Sequence, residues 1–202
     1  ILEKKIFYRL YQSLIRKKKN EYNFLEFIFK KQKNVNVLDI CCGDSYVLKY
    51  IDKYISNYTG IDNNKDYLKD SKQKYPNFSF YYLDIKKISS LKIKNINFVF
   101  LNGAIHHFND ETVKTLIQYI KKKFPKAIFL SIDPLKDKNN LINDIMIKND
   151  RGKFIRKKDE YKKILNSFLT LVTDEFFIMK FLLIFHYQNI DLKKYYKEWK
   201  KL

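Results

Sequence analysis

The chain has 202 residues, 46% of them hydrophobic and 17% aromatic, which suits one domain with one core and excludes a disordered chain. Against 22 acidic residues stand 41 basic ones, a formal net charge of +19, which invites an anionic partner such as nucleic acid or a membrane surface. Only Arg9, Arg16, Arg151 and Arg156 carry the guanidinium that forks onto phosphate or guanine, so compositional bias with a solvated lysine surface accounts for the charge more simply than a dedicated nucleic-acid reader.

Along residues 1–19, Leu2, Ile6, Leu10, Leu14 and Ile15 recur at helical spacing with basic residues opposite, predicting an amphipathic helix. It reads as a lid or packed helix, with contact to an anionic membrane as the alternative. No signal-peptide pattern is present. A second helix is predicted over Glu21–Lys33, and residues 1–33 together read as a helical cap.

From Val35 the period changes. Val35–Ile40 is a β-branched run that ends in Cys41-Cys42-Gly43-Asp44-Ser45, after which Val47, Leu48 and Ile51 resume helical spacing: strand, tight turn, helix. The two cysteines are adjacent, with Cα atoms about 3.8 Å apart, too close for an ordinary disulfide. A reducing compartment, the cytoplasm, fits them, and no zinc-ligand spacing accompanies them. Tyr58–Asp62 is a second strand ending in an acid, followed by a helix over Lys65–Lys74 that must stop before Pro76. Phe78–Asp84 is a third strand, again ending in Asp, and Ile96–Leu101 a fourth. Glu111–Lys123 is a helix with Asp110 as the expected N-cap, and Ala127–Ile132 a fifth strand.

After Pro134 a polar stretch runs to Lys158. A helix over Asp159–Asn166 follows, then two apolar runs, Phe168–Thr173 and Phe177–His186, that read as a hairpin closing the sheet. The most apolar stretch, Phe176–Tyr187, is about a dozen residues long and holds Lys180, too short to cross about 30 Å of hydrocarbon. The alternation predicts an α/β, Rossmann-like seven-stranded sheet, mostly parallel with a C-terminal antiparallel hairpin strand and helices on both faces. Residues 1–202 are expected to form one domain, with a core over 34–132 and acceptor-side insert and closing strands over 133–202.

Three acids, Asp39, Asp62 and Asp84, fall at the ends of adjacent predicted strands. An acid at the end of the second strand suits a ribose diol, because a carboxylate accepts both hydroxyl hydrogens, and one on the third can accept from an adenine amino group. Together they describe an adenosine pocket.

At these residues the sequence resembles the class I S-adenosylmethionine-dependent methyltransferases, from about Val35 to Ile132. Val37–Ser45 resembles the family's first motif, which implies that Asp39, Cys41, Gly43 and Asp44 line the methionine part of the cofactor. Asp62 with Asn63 matches the ribose acid, Leu83-Asp84-Ile85 the adenine contact, and Phe98–Phe108, containing Asn102 and the pair His106 and His107, the fourth-strand motif common among small-molecule members. Cys41 and Ser45 stand where the family commonly has Gly, and neither reaches positive φ as cheaply. A nicotinamide-dependent dehydrogenase fits less well, since only Gly43 offers the close backbone approach that a pyrophosphate needs.

The resemblance implies S-adenosylmethionine as cofactor and S-adenosylhomocysteine as product. Methyl transfer is a displacement that needs the nucleophile aligned and, for some acceptors, deprotonated. His107, with His106, is the candidate base or orienting group; alternatively both merely cap the strand. His186 reads as a core histidine. The Asn/Asp-Pro-Pro-aromatic tetrapeptide of many amino-methylating enzymes is absent, which disfavours adenine methylation in DNA. Arg151 and Arg156, in Asp150–Arg156, could hold an anionic acceptor group, or Arg151 could pair with Asp150 or Asp133 and order the insert. The acceptor is therefore expected to be small or medium-sized; an RNA methyltransferase or a non-catalytic nucleic-acid-binding protein is the alternative.

Overall fold

The computed structural model describes residues 20–136, 144, 147–148, 150–166, 170–177, 180–186 and 201. The helix expected over residues 1–19 lies outside them. The order of elements is α1 (Asn20–Lys30), β1 (Asn36–Ile40), α2 (Leu48–Ile51), β2 (Asn57–Asp62), α3 (Lys65–Lys74), β3 (Ser79–Tyr82), β4 (Phe98–Asn102), α4 (Asp110–Lys123), β5 (Ile128–Pro134), α5 (Lys158–Asn166), β6 (Thr170–Phe177) and β7 (Lys180–His186).

The sheet runs β3-β2-β1-β4-β5-β7-β6. Its first five strands pair parallel throughout, and β7 lies antiparallel to β5 and to β6. This is a Rossmann-like α/β fold. Strand order reverses between β1 and β4, so their helices depart to opposite faces and a crevice opens beyond the carboxyl ends of the strands.

The apolar sequence is divided between the two faces. One cluster holds Leu38, Ile40, Val99, Leu101 and Phe129 against Val113, Ile117 and Ile120 of α4; the other holds Val37, Phe98, Phe100 and Leu130 against Leu25, Ile28 and Leu48. Alternate residues of one strand thus feed opposite clusters, as a sheet covered on both sides requires. In α4, Asp110 and Glu111 lie in the first turn and Lys121, Lys122 and Lys123 in the last, complementing the helix dipole. The N-cap is Asn109 rather than the expected Asp110: the Asn109 side chain accepts from the Thr112 amide at 2.9 Å, leaving Asp110 free to serve elsewhere. Asn64 caps α3 in the same way, accepting from the amides of Asp66 and Tyr67. Among the described residues no helix is long and apolar enough to cross a membrane.

β3 is shorter than its apolar run. It stops at Tyr82, and Asp84 lies beyond it as the cap of a 3-10 turn over Ile85–Ser90, accepting from the Lys86 amide at 2.9 Å.

Candidate active site on the carboxyl rim of the sheet

The turn after β1 is held in three successive alternate left-handed positions: Cys41 has φ +60°, Gly43 +54° and Ser45 +53°. Only the middle one is glycine, and an L-residue in that region costs on the order of 1 kcal/mol or more. The turn is fixed from below and from the side. The Cys42 amide donates to the Ile61 carbonyl, the Ser45 amide to the Cys42 carbonyl, and the Gly43 amide to Asp62 Oδ2 at 2.8 Å.

Asp62 ends β2 with 8% of its surface exposed. Burial raises its pKa, while the amides of Gly43, Asn64 and Asn63 work against the rise. Its Oδ1 accepts from the Asn64 amide at 2.8 Å, so an amide holds each carboxylate oxygen and the pair keeps further acceptor capacity.

Asp39 occupies a different niche. Residues alternate along β1, so its side chain turns to the face of Val37 and meets the Tyr58 hydroxyl, which donates to Oδ2. The residue is 2% exposed, and Oδ1 is buried without a hydrogen-bond partner. Burial pushes its carboxyl up to about 8, with the charges of Asp62 and Asp44 adding to the rise and the Tyr58 bond opposing it. Close by, Gly60 on β2 leaves no space for a side chain: a Cβ there would stand 2.9 Å from Cys42 Sγ and from the Phe80 ring.

Along the same rim, Asn63 and Asp84 are exposed, Asp44 and Asn102 half-buried, and Ile85 is buried in the core at the start of the turn that Asp84 caps. An adenosyl cofactor with a methionyl tail fits this donor set. Asp62 retains acceptor positions for vicinal hydroxyls, a Cβ at Gly43 would meet nothing within 4 Å, and Asp39, two residues before the turn, keeps a buried carboxylate oxygen unmatched.

The rim beyond β4 is built on another plan. His106 is 4% exposed. Its Nδ1 lies 2.9 Å from Asp133 Oδ1 and its Nε2 3.2 Å from Asp150 Oδ1. Burial opposes its charge, but the two carboxylates overcome this and raise its pKa to about 9, so it stands as an imidazolium. Asp133, at the end of β5, also accepts from the His106 amide and from the Ser131 hydroxyl. Asp150 is held below the ordinary carboxylate range; its own burial opposes this, but the His106 contact outweighs it.

Residues 150–156 form a strap stitched over this histidine. Gly152 lies against the ring so closely that a Cβ would stand 1.9 Å from His106 Cδ2. The Phe154 amide donates to the His106 carbonyl at 2.9 Å. Arg156, 6% exposed, donates to Asp110 and to the carbonyls of Phe154 and Phe108 at 2.7–3.0 Å, and reaches the Ile105 carbonyl at 3.4 Å. This placement corrects the expectation of Arg156 at an acceptor: its guanidinium is consumed in fastening the strap. His106 is likewise taken up in the buried ion pairs rather than turned to the crevice.

His107 is exposed, with its ring centroid 4.2 Å from that of His106. Loss of water around the imidazole, followed by the charge of His106, pushes its pKa down to about 4, so it is neutral at physiological pH. Arg151 is exposed on the strap, and its charge acts on both Asp62 and His107. Sequence reasoning missed Tyr58, Asp133 and Gly152 as parts of the rim. A fifth strand ending in Asp133 repeats the pattern of the first three and was the available signal; nothing local marks Gly152 as lying against a histidine 46 positions earlier.

Residues 37–123, from β1 to the end of α4, match the family model of a methyltransferase domain. That match and the strand order make these residues similar to a methyltransferase domain built on a Rossmann-like sheet. No curated protein sequence matches it. Among solved structures it is similar to the magnesium protoporphyrin IX methyltransferase of Synechocystis, crystallised with S-adenosylhomocysteine, at 12% identity and a TM-score of 0.66, covering 84% of this chain and 83% of that one. An S-adenosylmethionine-dependent methyltransferase from Clostridium acetobutylicum is similar at 12% identity and a TM-score of 0.66, covering 91% of this chain and 98% of that one.

Proposed function

We infer that the protein is an S-adenosylmethionine-dependent methyltransferase whose acceptor is small or medium-sized and bears an anionic group, received between His107 and Arg151. What supports this reading is the strap: contacts on either side of Arg151, at Asp150 and Arg156, fix the segment that carries an exposed guanidinium whose charge reaches both Asp62 and the exposed histidine. Arg presents a planar fork to a carboxylate or phosphate, which fixes orientation as well as charge.

In this reading Asp62 accepts the ribose hydroxyls, Asp84 and Ile85 bound the adenine, and the turn from Cys41 to Ser45 follows the methionyl chain, with Asn63 and Asn102 on the flanks. The cofactor supplies an electrophilic methyl on a sulfonium. The acceptor-side residues must then align the nucleophile behind that carbon and exclude water. His107, neutral and only weakly basic, suits orienting the acceptor through a hydrogen bond more than stripping a proton from a poor acid. One structural neighbour is a magnesium protoporphyrin IX methyltransferase, a small-molecule enzyme by its name, which agrees with the class of acceptor.

The test is methyl transfer from radiolabelled cofactor to a panel of matched acceptors. Carboxylate-bearing compounds should be labelled and their amides should not, and Arg151→Ala should raise KM for the former by about tenfold or more, the loss of one charge-assisted contact. Preferential labelling of RNA, falling steeply with salt, would establish the alternative instead.

A further inference from the structure

Asp39 is the one described carboxyl on the rim with a buried oxygen that nothing in the protein satisfies. Its surroundings are unusual in sign. The Tyr58 hydroxyl reaches it from β2 and the Cys42 thiol lies near it in the turn. The charged groups that act on it, Asp62 at the end of β2 and Asp44 in the turn, are both carboxylates. A carboxylate buried among carboxylates, with one neutral donor, is stable only if it keeps its proton or gains a cation.

We propose that Asp39 stands as a neutral carboxylic acid in the free enzyme and releases its proton to solvent when the positively charged cofactor enters the turn above it, so that binding is coupled to loss of one proton. The inference rests on the reading of the Cys41–Ser45 turn as the cofactor site. It goes further by assigning the turn's acid a change of charge state. The balance is simple: the O–H bond of Asp39 breaks, the proton passes to buffer, and the carboxylate remains as counter-ion to the cofactor. Because the carboxyl titrates near 8 in the free enzyme, the exchange operates across the physiological range. His106, charged up to about 9, and His107, neutral down to about 4, are silent there.

The experiment is calorimetry of S-adenosylmethionine binding to the whole chain at pH 6.5, in phosphate and in Tris, whose ionisation enthalpies differ. At that pH the cofactor's own α-ammonium, with a pKa of about 7.7–8.0, is charged before and after binding. The dependence of observed enthalpy on buffer should report about one proton released, and affinity should rise close to tenfold between pH 5.5 and 6.5. Asp39→Asn, isosteric and still able to accept from Tyr58, should bind with no proton released. Equal release with S-adenosylhomocysteine would assign the ammonium as the charge that displaces the proton; release with S-adenosylmethionine alone would assign the sulfonium.

Wild-type binding with no buffer dependence overturns the proposal, and so does a proton count unchanged by Asp39→Asn, which would place the proton on Asp62. Should the variant fail to fold, the wild-type proton count and pH series decide by themselves. No binding at millimolar cofactor in either buffer would instead remove the cofactor assignment, and the proposal with it.

Discussion

The two halves of the rim use the same residue types to opposite ends. Beyond β1 and β2, Asp39 keeps a buried oxygen unmatched, Asp62 holds one amide on each oxygen with capacity to spare, and the turn stores left-handed φ values at Cys41 and Ser45. Beyond β4 and β5, Asp133, His106 and Asp150 satisfy one another, and Arg156 spends its guanidinium on a carboxylate and backbone carbonyls. Buried polarity left unsatisfied is what a ligand completes; buried polarity that closes on itself fastens a loop. Acids at strand ends are thus not equivalent, and their partners decide whether each belongs to binding or to architecture.

The contrast is broken most severely at Asp133. Asp133→Ala leaves a buried imidazolium with one carboxylate fewer, and should lower stability by about 3–5 kcal/mol, read by denaturant unfolding at pH 7. The pH dependence has a definite sign. The folded pKa of His106 lies above its unfolded value, so the stability drawn from its ion pairs is complete below about 6.5 and is lost as pH rises through about 9. In wild type the melting temperature should fall across that window, and Asp133→Ala should shrink the step.

On the open side the matching change is Asp62→Ala, which removes the proposed ribose acceptor and the support of the Gly43 amide. Cofactor affinity should fall by about 2–3 kcal/mol, roughly 30–150-fold by calorimetry, with a smaller change in melting temperature than at Asp133. Equal damage to stability and affinity at both acids would erase the distinction drawn here.

Two smaller effects sharpen it. Gly152→Ala forces a methyl into the His106 ring and should cost about 1–3 kcal/mol of stability while leaving cofactor affinity nearly unchanged. Ser45→Gly should run the other way, relieving the left-handed strain of the turn by up to about 1 kcal/mol, seen as a raised unfolding midpoint.

Much of this was legible in the chain. Apolar runs with Asp39 and Asp62 at their ends marked the strands, and Pro76 marked the stop of α3, whereas its cap, Asn64, emerged only in the structure. The aromatic run into Asp84 read as strand throughout, yet β3 ends at Tyr82, because an edge strand is paired on one side only and the Asp84 side chain competes for the backbone by capping the next turn. Arg156 was misjudged for a related reason. A guanidinium in a polar stretch looks ligand-facing until the carbonyls of a segment about fifty residues away are seen to surround it.

The sequence by itself therefore determined the alternation of elements, the parallel core and the acids at the strand ends, since these follow from hydrophobic period and strand-end residues within short windows. Tertiary structure alone decided which polar groups are spent and which remain available. The Asp39–Tyr58 bond, the Asp133–His106–Asp150 pairs and the place of Gly152 on His106 join residues 19 to 46 positions apart along the chain. Desolvation and pairing depend on what the fold brings within hydrogen-bond distance, and no local pattern carries that information.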